Sequence, residues 1–370
     1  MRIDDVQVIV CDWQRQEIQY RADIPAQVMR RDYVIVRIRT DDGLEGYGCS
    51  RSYGGTTGRV LAEIITQVLK PALLGEDPMQ REALWQKIVS MNRLAYLPLY
   101  AHGCVDVALW DIAGKAVGLP LYRMLGAARE KVLAYASSMT HASVANYVTE
   151  AVACRERGYR AYKLHPWGEP RRDVEACRAV REAVGQDMQL MLDAVAAYDF
   201  ADAMWVGRQL EALDFYWYEE PLPDAKLPAY ERLAQELDIP IAGTETTPDS
   251  VYGIAPHLAR GAVDIVRGDV TYKGGITGLK KMADAAAAFG VNCEVHHGGS
   301  PIMNAANLHV ICAIANCEFF EVLVPEDAYD FGLVTPLNID AEGYVHVPQG
   351  PGLGIELDWE AIEACKVMEA

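Results

Sequence analysis

Three acidic residues in the middle of the chain each follow a short apolar run and fall at an even interval. They are Asp193 after Leu190-Met191-Leu192, Glu219 after Phe215-Tyr216-Trp217-Tyr218, and Glu245 after Ile239-Pro240-Ile241-Ala242. The interval is 26 residues both times. That length holds one strand, one helix and two loops, so the spacing predicts βα units whose strands end in carboxylates. In a closed parallel barrel the C-terminal strand ends gather on one face, where carboxylates from neighbouring strands can share a cation. One acidic residue at a strand end is ordinarily a cap or a surface group; three on one period point to a metal site. An oxygen-only donor set favours Mg2+, with Mn2+ next, over zinc.

The rhythm continues on both sides of these residues. Apolar segments at 132–135, 162–164, 189–192, 214–218, 239–242, 263–266, 291–294 and 318–321 read as strands, enough to close a barrel. Helical periodicity occupies 144–156, 170–184, 202–212, 226–236, 248–258, 276–289 and 303–315 between them. Ahead of this alternation, strand patterns at 6–13 and 33–40 and the turn Asp41-Asp42-Gly43 predict an antiparallel sheet. Helical patterns at 57–74, 78–89 and 99–117 follow, stopped by Gly118-Leu119-Pro120. The fold expected is α/β: an α+β N-terminal capping domain at 1–126 and a (β/α)7–8 TIM-type barrel at 127–324. A turn-rich segment at 325–370 is expected to pack back on the cap and complete it rather than extend the barrel.

Composition sets the outer limits. At 370 residues and 51% hydrophobic, the chain can bury a substantial core. A formal charge of −18 argues against nucleic acid and anionic membranes as partners, while a lysine and a divalent ion can still make a pocket attractive to a small anion. Nine cysteines, an odd number without a CxxC pair, read as reduced thiols and a cytoplasmic protein. No apolar signal-peptide core follows Met1 and no long uncharged apolar run occurs.

Further polar residues stand at the predicted strand ends. Lys163 and His165, with one residue between them, project to the same side of the second strand. Asp269, His296 and Glu321 end the sixth, seventh and eighth. Of the neighbours His296 and His297 only one can face inward, and spacing does not choose between them. Asp269 acquires a specific role if it holds the imidazole of His296. Gly274-Gly275-Ile276-Thr277-Gly278 lacks the features of a phosphate or dinucleotide loop and reads as a strand-to-helix turn. His102 and His309 read as packed histidines in apolar helices, and Ala108-Leu109-Trp110-Asp111 as part of a domain-packing helix.

Together these residues resemble the enolase superfamily, and within it the mandelate racemase-like subgroup of acid-sugar dehydratases and racemases, over nearly the whole chain. The motifs that carry the resemblance are Ala108 to Lys115 with Pro120 and Leu125-Gly126, Tyr218-Glu219-Glu220-Pro221, Ala242-Gly243-Thr244-Glu245, Gly268-Asp269 with Gly274-Gly275, and His296. The resemblance implies Asp193, Glu219 and Glu245 as magnesium ligands, with Glu220 a structural neighbour. It implies Asp269 and His296 as an Asp–His dyad, Lys163 and His165 as the second-strand pair, and Glu321 as a hydrogen-bond partner of the substrate carboxylate. It also implies a homo-oligomer, octamer or dimer. Two positions depart from the pattern. His165 stands where the racemase prototype has a lysine base, which leaves that role to His165 or Lys163, and Val195 stands where asparagine is frequent.

The chemistry so implied is removal of the proton alpha to the carboxylate of an acid sugar, with Mg2+, Lys163 and a protonated Glu321 stabilising the charge. Loss of the beta hydroxyl then gives a 2-keto-3-deoxy acid. Racemisation or epimerisation of a 2-hydroxy or sugar acid, and cycloisomerisation of a sugar-acid lactone, share the first step; a non-catalytic binding scaffold is the remote alternative. Substrate choice is expected from the cap, through the 20–31 loop, Tyr47 and Arg51, with Trp167 and Tyr198 lining the pocket from the barrel side.

Overall fold

The computed structural model describes residues 1–18, 27–51, 58–297 and 300–370, with the backbone alone at 14–18, 27–31 and 51. The side chains of the 20–31 segment and of Arg51 therefore lie outside the described residues. Strands β1 (Ile3–Ile18), β2 (Gln27–Thr40) and β3 (Glu45–Arg51) form an antiparallel sheet, turning between β2 and β3 at Gly43, where φ is 87°. Alternation sends Val6, Val8, Val10, Val34, Val36 and Ile38 to one face, buried under the cap helices. Ile9, Cys11, Tyr33 and Ile35 face the other way and join the cluster that continues into the barrel.

The cap helices begin with α1 (Gly58–Ile64), which runs through a π-helical turn at Ile65–Leu69 into α2 (Lys70–Leu73). After them come α3 (Arg81–Ala95), α4 (Leu99–Val117) and α5 (Leu121–Leu125). Helix α4 lies directly on β3: a Cβ at Gly48 would sit 1.9 Å from the Cys104 carbonyl oxygen, so only glycine permits the contact.

The barrel alternates β4 (Lys131–Ser137), α6 (Val144–Glu156), β5 (Ala161–Leu164), α7 (Pro170–Val184), β6 (Gln189–Asp193), α8 (Phe200–Ala212), β7 (Trp217–Glu219) and α9 (Leu227–Glu236). It continues with β8 (Ile241–Gly243), α10 (Val251–Arg260), β9 (Ile265–Gly268), α11 (Gly275–Ala288), β10 (Asn292–Val295), α12 (Pro301–Ala313) and β11 (Phe319–Leu323). Every predicted strand is present. The ladder runs parallel from β10 back through β4 to β11. Among the described residues β10 and β11 share no ladder; the Glu294 carboxylate closes the gap by accepting from the amides of Glu318 (2.9 Å) and Phe319 (3.2 Å).

Strand parity sorts the interior into layers. Tyr135, Ala161, Met191, Trp217, Ala242, Ile265 and Phe319 pack as one apolar layer across the barrel. Two residues further along their strands come Lys163, Asp193, Glu219, Arg267 and Glu321, on the same inward side and nearer the C-terminal mouth.

The tail completes the cap sheet as expected and, in addition, joins the barrel sheet. Strand β12 (Tyr344–His346) pairs antiparallel with Lys131–Leu133 and so extends the barrel sheet, while α13 (Trp359–Cys365) leads into β13 (Lys366–Glu369), a fourth strand of the cap sheet on β1. The start of β4 projects past its ladders with β5 and β11, and β12 covers the backbone groups left open there. Among the described residues no helix is long and apolar enough to cross a membrane.

Helix α4 joins cap to barrel, as its sequence predicts. The Asp106 carboxylate accepts from the Thr277 amide (2.9 Å) and hydroxyl (2.7 Å) in the first turn of α11, and Trp110 Nε1 donates to the same hydroxyl (2.8 Å). Burial pushes the Asp106 carboxyl up to about 7, against the Thr277 bonds that lower it. A carboxyl raised in the folded state contributes stability that is fully present below its ordinary value of 3.8 and is lost as pH rises through about 7. Asp106→Asn is therefore expected to flatten the decline in unfolding free energy between these pH values, measured by denaturant titration of both proteins. Asp106→Ala, which strands a buried amide, is expected to cost about 1–3 kcal/mol at every pH.

Candidate active site

The mouth of the barrel gathers the residues singled out at the strand ends. Asp193 and Glu219 are register partners on β6 and β7, and Glu245 lies two residues beyond β8. Beneath them the fully buried Lys163 Nζ lies 3.0 Å from Glu219 Oε1, 2.9 Å from Glu321 Oε1 and 3.5 Å from Asp193 Oδ2. Burial works to lower its pKa, but Glu219 and Glu321 outweigh that and hold it well above the usual lysine range. At one end of the carboxylate row His165 Nε2 is 2.9 Å from Asp193 Oδ2. At the other, His296 Nε2 is 3.3 Å from Glu245 Oε1 while its Nδ1 is 2.7 Å from Asp269 Oδ2. The neighbouring His297 turns away: its ring packs edge-on against Phe320, with centroids 4.0 Å apart, and burial pulls it down to about 3.

Arg267 belongs to this network and escaped sequence reasoning. It is fully buried on β9, with Nε 2.8 Å from Glu219 Oε1, Nη2 2.9 Å from Glu321 Oε2, and Nη1 donating to the Glu294 carbonyl at 3.1 Å. Its position two residues before Asp269 places it on the same inward face, so strand parity was the available signal. Arg267 also corrects the expectation of a protonated Glu321. Burial raises that carboxyl, but Lys163, Arg267 and His296 pull harder, and it lies well below the usual range. Both oxygens are occupied: Oε1 by Lys163, Oε2 by Arg267 and by the His297 amide at 3.0 Å. Glu321 is an ionised anchor.

Among the described residues no three His, Cys, Asp or Glu side chains, as oriented, share one ligand sphere. The oxygens of Asp193, Glu219 and Glu245 turn instead toward Lys163, His165, Arg267 and His296. The donor set nevertheless fits a hard divalent cation. It is oxygen-only, comes from consecutive strands, and sits in an excess of negative charge: Asp193, Glu219, Glu220, Glu245, Asp269 and Glu321 face the permanent cations Lys163 and Arg267. The excess shows in the titration of the row. Burial, with repulsion from Glu219 and Asp193, lifts Glu245 to about 7, and burial with repulsion from Glu245 and Asp224 lifts Glu220 well above its usual range. Glu220 Oε1 is buried without a hydrogen-bond partner.

Two family models match the chain: the mandelate racemase / muconate lactonizing enzyme N-terminal domain over residues 10–126, and the enolase C-terminal domain-like model over residues 146–361. The chain belongs to the enolase superfamily. Relatives of this superfamily member include an arabinonate dehydratase from Saccharolobus solfataricus, 34% identical over 87% of each chain. A D-galactarolactone cycloisomerase from Agrobacterium fabrum is 32% identical over 93% of this chain and 95% of its own. Among solved structures, D-glucarate dehydratase from Agrobacterium tumefaciens complexed with magnesium superposes with a TM-score of 0.88 at 36% identity, covering 100% of both chains. The protein is thus an enzyme of a superfamily whose members named here are lyases and an isomerase.

Three residues expected to line the pocket of this superfamily member have their polar groups committed to partners within the protein. Tyr47 sits on β3 with its amide on Asp111 Oδ2 (3.0 Å), its hydroxyl on Glu45 and Lys115 over its ring, all within the cap. Trp167 Nε1 donates to the His141 carbonyl (2.7 Å), and its amide to Asp173 Oδ1 (3.1 Å). Tyr198 donates its hydroxyl to Asp173 Oδ2 at 2.6 Å. Asp173, a buried carboxylate in the first turn of α7, takes the Tyr198 hydroxyl and the Trp167 amide, while the His141 carbonyl takes the Trp167 ring N–H. Tyr198→Phe is accordingly expected to lower unfolding free energy by about 1–3 kcal/mol while leaving KM unchanged, checked by denaturant melts beside steady-state kinetics.

Proposed function

We propose that the protein is a Mg2+-dependent acid-sugar dehydratase that removes the proton alpha to a carboxylate and expels the beta hydroxyl as water. The observation that carries this reading is the row of Asp193, Glu219 and Glu245 with a histidine Nε2 at each end, His165 on Asp193 and His296 on Glu245. Asp193, Glu219 and Glu245 would hold the cation, with Mn2+ as a substitute. When bound, it supplies positive charge beside the substrate carboxylate as the alpha carbon loses its proton.

Lys163 donates to Glu219 and forms ion pairs with Glu321 and Asp193, which favour its protonated form, without a lone pair for a proton. This supports His165 as the group that carries the second-strand proton transfer. Asp269 fixes the other imidazole through Nδ1, so the exchangeable position of His296 is Nε2, on the side of the row. One histidine takes the alpha proton and the other gives a proton to the departing hydroxyl; the carbon–oxygen bond breaks, and the resulting enol tautomerises to a 2-keto-3-deoxy acid. The dehydratase relatives support this outcome. The cycloisomerase relative supports a second one, opening of a sugar-acid lactone ring through the same proton removal.

The test is a panel of aldonates, aldarates and their lactones incubated with Mg2+ in deuterated water, followed by NMR and by keto-acid formation. Dehydration gives a 2-keto-3-deoxy acid; a product isomeric with the lactone substrate selects the second outcome. His165→Asn and His296→Asn are each expected to lower kcat by about 10²- to 10⁴-fold, and the variant that still exchanges the alpha proton without losing water is the one that lacks the acid. Absence of product and of exchange across the whole panel would sink the proposal.

A further inference from the structure

The loop that carries Glu245 is built around an unusual backbone. Thr244 follows β8 with φ of 80°, a left-handed conformation that a β-branched residue adopts only when its surroundings impose it. Two charged side chains impose it. Asp224 takes the loop's amides: Oδ1 accepts from Thr244 N at 3.1 Å, and Oδ2 from Thr246 N at 3.1 Å and the Thr246 hydroxyl at 2.9 Å. Lys273 takes its oxygens: Nζ donates to the Thr244 carbonyl at 2.7 Å, the Thr247 carbonyl at 3.1 Å and the Thr247 hydroxyl at 2.9 Å. The N–H groups on either side of Glu245 thus end on one carboxylate, and carbonyls on either side of it end on one ammonium.

We propose that Asp224 and Lys273 are positioning residues that clamp the Glu245 loop and so set the third acidic ligand of the divalent cation. The inference rests on the metal reading of the site given above. Lys273 is fully buried, and its three N–H groups all end on uncharged acceptors of this single loop. Its charge is answered only through space, by Asp224, Asp269, Glu245 and Glu220, and burying it remains a costly way to pack a loop that an apolar side chain could also fill. What the ammonium adds is direction, because it fixes the peptide plane that precedes Glu245.

The surrounding chain makes room for it. A Cβ at Gly268 would meet Lys273 Cε at 2.6 Å, and one at Gly278 would meet the Lys273 carbonyl oxygen at 1.7 Å, an oxygen that also accepts from the Ser250 hydroxyl. Lys273 is itself tied to the other partner of His296, since its amide donates to the Asp269 carbonyl at 2.9 Å. One side chain therefore links the loop of Asp269 to the loop of Glu245, the two carboxylates between which His296 lies.

The test uses the full chain stripped of metal, with Mg2+ binding followed by calorimetry and by the Mg2+-induced rise in the thermal unfolding midpoint. Lys273→Met and Asp224→Asn are each expected to weaken Mg2+ binding by about ten- to a hundredfold, with kcat recovering as Mg2+ is raised to saturation. A residue that only supports folding would lower the midpoint without metal and leave Mg2+ affinity in the folded protein as it was. Glu245→Gln serves as the direct comparison. Weakened binding in Glu245→Gln beside unaltered binding in both Lys273→Met and Asp224→Asn overturns the clamp and leaves the metal site standing. Unaltered binding in Glu245→Gln overturns the ligand assignment and the clamp with it. If Lys273→Met does not fold, Thr247→Val, which deletes one acceptor and keeps the lysine, takes its place; a smaller loss in the same direction is expected, and unaltered affinity there and in Asp224→Asn overturns the proposal.

Discussion

Two buried cations allow this barrel to carry carboxylates in its interior. Lys163 on β5 reaches Asp193, Glu219 and Glu321, and Arg267 on β9 reaches Glu219 and Glu321 from the other side. Each carboxylate so enclosed would cost several kcal/mol if it were left alone in a medium of low polarity. Paired, they form a cross-brace that joins β5, β6, β7, β9 and β11 through the middle of the barrel, directly above the apolar layer of Tyr135, Met191, Trp217, Ile265 and Phe319. The pairing is expensive to break on one side only, because removal of a partner strands the other charge at about 3–5 kcal/mol.

This brace also fixes where the unbalanced charge lies. Glu219 and Glu321 are matched by Lys163 and Arg267, whereas Glu220, Glu245 and Asp269, nearer the mouth, form no ion pair with a lysine or arginine among the described residues. The negative charge is therefore concentrated where a divalent ion and two histidines can answer it. Glu321, paired with Lys163 and Arg267, is the anionic side of this brace rather than a proton donor.

The legible part of this arrangement is the part written in local periodicity. Helices α6 and α7 occupy the predicted residues, one started by the Ser143 hydroxyl accepting from Asn146 N and the other by Pro170 at its first position. The strand-end carboxylates and histidines could be found because side chains alternate and the βα unit recurs. Arg267 was lost because the apolar run that marks β9 ends at Val266, and a charged residue read as the end of the strand. Asp224 and Lys273 leave no sequence signal, since their partners are mostly main-chain atoms of a loop twenty or more residues away. Tyr47, Trp167 and Tyr198 show the converse: an aromatic residue near a strand end has a position in sequence but no direction, and buried Asp173 and the cap claimed them. Strand β12 could not be anticipated without knowing that β4 outruns both of its neighbours.

The closure of the barrel follows from the same economy of buried polar groups. A ladder between β10 and β11 would satisfy the amides of Glu318 and Phe319 with backbone carbonyls of β10, but the Glu294 side chain takes both amides and its carbonyl is given to Arg267. Burial pushes this carboxyl up to about 7, with the two amide bonds acting in the opposite direction. The seam is thus bridged by the Glu294 side chain and by the Cys293 amide, which donates to the Asn316 carbonyl at 2.7 Å. The Glu294 bridge falls two residues before His296 and three before His297, whose amide reaches across to Glu321. The histidine at one end of the row and the anion beneath it thus belong to strands joined by a side chain, and Arg267, bound to both the Glu294 carbonyl and Glu321, connects that joint to the cross-brace.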